Sequence, residues 1–107
     1  MRQVDLGQGR QIDRFGSVGA FAQGVSRRVL QVVVMRVAPG GVIGRHPTGS
    51  AQLFTVVAGS GWVSGADGER SSIAAGEAVA WDAGEEHESG TDDGMTAIVV
   101  EAEELDV

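Results

Sequence analysis

Glycine interrupts this chain wherever a β-branched run ends. Seventeen of the 107 residues are glycine, against only two prolines. Between the glycines lie short segments rich in Val, Ile and Ala. These segments recur at roughly the eight- to twelve-residue spacing of sandwiches and barrels. No segment combines helical spacing of apolar residues with helix start and stop signals. The pattern predicts an all-β fold, a small antiparallel barrel or sandwich with glycine turns.

The strongest strand signal runs from Val25 to Ala38. Its core, Val29, Leu30, Val32, Val33, Val34, Met35 and Val37, is too β-branched for a good helix and predicts a strand buried on both faces. Further strands are expected over Gln52 to Ala58, Gly61 to Ser64 after a Gly-Ser-Gly break, Ala78 to Trp81, and Thr96 to Glu101. Asp67-Gly68 reads as a hairpin turn, because glycine supplies the positive φ such turns need. No break in composition divides the chain, so residues 1–107 form one domain. Residues 1–24 read as an N-terminal arm or edge strands, 25–101 as the barrel core and 102–107 as an acidic tail.

Charge narrows the function classes. The net charge of −7 argues against nucleic acid and anionic membrane surfaces as partners. The acids cluster over Glu85, Glu86, Glu88, Asp92 and Asp93 and again over Glu101, Glu103, Glu104 and Asp106, and both clusters read as solvated. The chain has no cysteine and no lysine, which excludes thiolate sites and Schiff-base chemistry. The segment MRQVDLGQGRQID has no apolar stretch of the kind a secretory signal needs, and no run nears the roughly 20 apolar residues of a spanning helix. A cytoplasmic location is expected.

The two histidines are the main functional signal. His46 follows Gly40 and precedes Gln52 and Gly59; His87 follows Gly76 and Gly84. Matching places in two strand–turn–strand units suggest one shared site. Side chains alternate faces along a strand, so Thr48 would share the face of His46, Phe54 that of Gln52, and Ser89 that of His87. A barrel of this size has room inside for side chains or one small ligand. Met35 and Met95 are candidates for its lining or its core. Arg45 has the opposite parity and should face outward. Trp62 and Trp81 read as core or interface aromatics. Glu85, beside His87, is a candidate base.

The segment PGGVIGRHPTGSAQLFTVVAGSG resembles the first signature of the cupin family. Gly40, His46, Thr48, Gln52 and Gly59 stand at its positions without a gap. GEAVAWDAGEEH resembles the second signature through Gly76, Asp82, Gly84 and His87, with Thr91 beyond. Thr48, Gln52, Asp82 and Thr91 depart from the usual histidine, glutamate, proline and asparagine. The resemblance implies a jelly-roll barrel, a homodimer, and a divalent transition metal (Zn, Fe, Mn, Ni or Cu) on His46, His87 and Gln52. It implies a metal-assisted enzyme acting on a small organic molecule. The alternative is a metal-free module that binds a small molecule without transforming it.

Overall fold

The computed structural model describes residues 1–107. Ten strands follow one another: β1 (Arg2–Val4), β2 (Arg10–Gln11), β3 (Phe21–Ala22), β4 (Val29–Val37), β5 (Val42–Pro47), β6 (Ala51–Ser64), β7 (Arg70–Ala74), β8 (Ala78–Trp81), β9 (Glu86–Gly90) and β10 (Met95–Ala102). There is no helix, so none is long and apolar enough to cross a membrane. All pairings are antiparallel. The fold class is therefore the expected one, an all-β antiparallel barrel of jelly-roll type.

One wall of the barrel runs β1-β8-β6-β10-β4. The other is built from β5, β9, the second part of β6, and β7. Strand β6 serves both walls. Its residues 51–59 pair with β8 and β10, and residues 60–64 pair with β7 and β9. The expected break at Gly-Ser-Gly is therefore a change of sheet within one continuous strand. Gly59 makes it possible: its φ is 75°, and a Cβ there would overlap the Gly94 carbonyl oxygen.

The core fills the space between the walls. Phe54, Val56, Val63, Ile73, Val79, Trp81, Met95, Ala97 and Val99 form one buried cluster, with Val33, Met35 and Val37 packed against it. This face of β4 matches the alternation of its sequence. The other face does not match the reading of a strand buried on both sides. Leu30, Val32 and Val34 are 59%, 58% and 61% exposed, because β4 is the last strand of its wall and no layer covers it.

A smaller apolar cluster lies outside the first wall. Leu53, Ala78 and Ala80 are covered there by Val4, Val25, Leu105 and Val107. The tail is thus docked rather than wholly solvated. Glu103 N donates to Arg28 O at 3.1 Å and Asp106 N to Val25 O at 2.9 Å, while Glu103, Glu104 and Asp106 keep their exposure. The N-terminal segment supplies the edge strand β1, paired with β8. Strands β5, β7 and β9 carry too few consecutive apolar residues to announce themselves; β9 reads Glu-His-Glu-Ser-Gly.

Candidate functional site

A β-bulge builds the histidine pair. Strands β5 and β9 pair Ile43 with Ser89 and His46 with His87, so β5 carries one extra residue between the two rungs. A bulge of this kind re-aims the side chains that follow it. Here it restores His46 to the face of Ile43 and sets it directly across from His87. The two imidazole ring centres lie 4.4 Å apart. His46 sits exposed at the mouth, and His87 is buried beneath it.

Backbone carbonyls lie beside Nδ1 of both rings. His46 Nδ1 lies 2.7 Å from the Gly44 carbonyl oxygen. His87 Nδ1 makes a longer contact, 3.3 Å, with the Glu85 carbonyl oxygen. A carbonyl can only accept, so these contacts favour the Nδ1–H form of each neutral ring, in which Nε2 is the acceptor nitrogen. Burial, the largest influence on His87, pushes its pKa below the usual value, and the His46 ring adds to the lowering through charge repulsion; the Glu85 and His46 carbonyls and the Glu85 charge oppose this without reversing it.

The opposite wall contributes a row of three residues from adjacent strands. Gln52 pairs with Trp81 on one side and with Glu101 on the other. Gln52 Nε2 donates to Glu101 Oε1 at 3.2 Å. The Trp81 indole N–H donates to Ser64 O at 3.1 Å, and its ring packs against His87 at 4.5 Å and edge-on against Phe54 at 5.6 Å. Between this row and the histidines lies a cavity of about 100 Å³. Met35, Ile43, Phe54 and Ser89 complete its lining.

The structure brings His46, Gln52, His87, Met35, Phe54 and Ser89 together at this cavity; the shared faces of Gln52 with Phe54 and of His87 with Ser89 follow strand parity. Thr48 and Met95 are not part of its lining. Thr48 lies beyond the end of β5, where parity no longer applies. Its hydroxyl donates to Asp82 O at 2.9 Å and accepts from Gly84 N at 3.0 Å, which pins the turn before His87. Met95 is a core residue, with its sulfur beside Gly61.

The remaining sequence candidates have structural duties. Glu85 accepts from Asp82 N at 3.1 Å and Ala66 N at 3.2 Å, and also from the Met1 nitrogen. Desolvation raises its pKa, but these bonds outweigh it and hold the carboxyl below its usual value. Arg45 donates to Gly65 O at 2.7 Å and lies 3.3 Å from Glu86, tying the bulge to the β6–β7 turn. Trp62 is half-buried under the Arg70 guanidinium, 3.7 Å above its ring. Glu101 is the site residue that the reading of charge clusters missed. The alternation Ala97, Val99, Glu101 carries it onto the inner face of β10, and that signal was present in the sequence.

The donor set fits a metal ion in part. Two rings on one ion, at about 2.0–2.1 Å per metal–nitrogen bond, have centres roughly 4.5–5.2 Å apart for bond angles between about 90° and 109°. The observed 4.4 Å falls just below that range. Neutral imidazole nitrogens are suitable donors for a transition metal. The oxygen set is weaker, because no three His, Cys, Asp or Glu side chains gather closely enough to hold one. The Gln52 amide and the Ser89 hydroxyl are neutral donors.

The fold agrees with known proteins. The cupin-domain family model matches residues 33–102. A conserved protein of unknown function from Streptococcus pyogenes is similar at 23% identity and a TM-score of 0.65, over 74% of this chain and 68% of that one. A predicted oxalate decarboxylase from Thermotoga maritima is similar at 22% and 0.64, over 70% and 67%. Bacillus subtilis oxalate decarboxylase, described with Mn(II) centres, is similar at 21% and 0.64, over 70% of this chain and 21% of that one. No match was found among curated proteins. With its barrel, its two glycine–histidine segments and a family match over most of its length, the chain belongs to the cupin family.

Proposed function

We propose that the barrel binds a small organic molecule beside His46 and His87 and transforms it with the help of a divalent transition metal. The metal would be held by both Nε2 atoms and the Gln52 carbonyl oxygen. One observation carries this reading: His46 and His87 face each other across the β5–β9 ladder with Nδ1 of each beside a backbone carbonyl, an arrangement that in the Nδ1–H form leaves both Nε2 lone pairs for a metal. Such orientation of a ring through its other nitrogen is a regular feature of metal-binding histidines. Imidazole suits Zn, Cu, Fe and Ni; the Mn(II) centres of the Bacillus relative add manganese. When bound, the ion supplies Lewis-acid polarisation of a substrate oxygen.

The chain's own residues set the conditions. Trp81 and Phe54 form an apolar wall that limits water around the histidines. Burial keeps His87 neutral and able to bind. Ser89 offers a hydroxyl that can donate to a substrate oxygen or accept from a substrate donor. The absence of cysteine is compatible with a reducing cytoplasm, and the exposed β4 edge supports a homodimer.

Elemental analysis of gently purified protein tests the proposal. Wild type should carry one transition metal per chain, and His46→Ala and His87→Ala should each reduce it to background. Full metal content in either variant would overturn the assignment. A second reading, a metal-free module that captures a small ligand, is favoured by the amide at position 52 and the lack of a third anionic ligand. Ligand binding that survives chelation, in a protein purified without metal, would support it over the first.

A further inference from the structure

The polar lining of the cavity is strongly biased toward acceptors. Both Nδ1–H groups go to the Gly44 and Glu85 carbonyls. Gln52 Nε2 donates to Glu101 Oε1, and the Trp81 indole N–H donates to Ser64 O. What remains for a ligand is the Nε2 of each imidazole, the Gln52 carbonyl and the second N–H of its amide, the second carboxylate oxygen of Glu101 and the Ser89 hydroxyl. No arginine lines the cavity, the chain has no lysine, and Arg45 is tied to Glu86 and the Gly65 carbonyl.

The physical consequence concerns charge. A ligand carboxylate would give up its hydration shell and meet another carboxylate, with only neutral donors, the Ser89 hydroxyl and one amide N–H of Gln52, to offset this. Burying a charge without partners is costly. A cationic N–H group would meet several acceptors, one of them ionised, and hydrogen bonds to an ionised acceptor are the stronger kind. Glu101 is held in place to accept such a group. It stands directly across the ladder from Gln52, and their bond turns the amide carbonyl away from the carboxylate.

We infer that Glu101 is the ligand-selecting residue of this cavity, and that the metal-free site takes a small organic cation, an amine or amidine, on Glu101. The volume of about 100 Å³ limits the recognised group to a few non-hydrogen atoms. The inference rests on the reading of this cavity as a ligand site. It does not depend on the metal.

The test uses propylammonium and propionate, titrated separately into chelator-treated full-length protein at constant ionic strength. The Trp81 indole and His87 ring resonances report binding. Propylammonium should shift both saturably at millimolar concentration, and propionate should not. Glu101→Gln keeps the shape and removes the charge, and should weaken propylammonium by about tenfold or more. A thermal melt of that variant checks that it remains folded. Equal binding of propionate, no binding of either probe, or unchanged affinity in Glu101→Gln would each overturn the inference. A parallel zinc titration of wild type and His46→Ala separates the two ideas: loss of the metal reading with retained propylammonium selectivity leaves Glu101 in its role.

Discussion

Replacing Trp81 with Phe tests how closely the core and the site depend on one another. Trp81 is fully buried, donates to Ser64 O across the barrel, and supports both Phe54 and His87. The substitution keeps an aromatic ring but removes the N–H and part of the ring volume. A lost hydrogen bond of this kind costs about 0.5–1.5 kcal/mol, more if the acceptor is left buried and unpaired. The smaller ring leaves a void of about 40 Å³, worth about 1 kcal/mol. Together these give about 1.5–2.5 kcal/mol. Unfolding entropy for a chain of this length makes each kcal/mol worth roughly 4–5 °C, so Tm should fall by about 7–11 °C. Calorimetry of the metal-free protein measures it. A fall below about 3 °C would mean that the indole bond and its packing do not hold the barrel as described.

Three further outcomes follow from the same geometry. Gln52→Glu should lower the Tm of metal-free protein at neutral pH, because it sets two carboxylates directly across a ladder pair, and should tighten zinc binding measured by calorimetric titration; a variant with unchanged zinc affinity would remove Gln52 from the metal site. The lowered pKa of His87 means that the unfolded chain takes up a proton more readily than the folded one. Its contribution is therefore present above the unfolded value near 6.5 and is lost as pH falls from there toward the folded value; in metal-free protein, His87→Gln should flatten this part of the stability–pH curve measured by denaturant titration. Sedimentation at micromolar concentration should give a dimer mass, and Val34→Lys on the exposed face of β4 should shift it toward monomer.

Much of the fold was legible because two periodicities were clean. The alternation Gln52, Phe54, Val56 and the pair His87, Ser89 set the correct faces, and glycine spacing located most of the turns. The errors have physical causes. Val29 to Val37 looked doubly buried because its composition cannot distinguish a central strand from an edge strand whose outer face is uncovered. Thr48 seemed to share the face of His46 because parity was carried past the end of β5. The bulge before His46 changes parity in a way that no local residue pattern announces. Glu101 was grouped with the acidic tail by charge, although its two-residue spacing from Val99 already put it on the inner face.

The imidazole pair itself allows the most direct test. Long-range proton–nitrogen NMR of metal-free protein at neutral pH reports which nitrogen of each ring carries the proton. Both His46 and His87 should be in the Nδ1–H form, and one equivalent of zinc should shift both Nε2 resonances together. An Nε2–H tautomer in either ring, or zinc perturbing only one of them, would contradict the shared histidine site of the barrel.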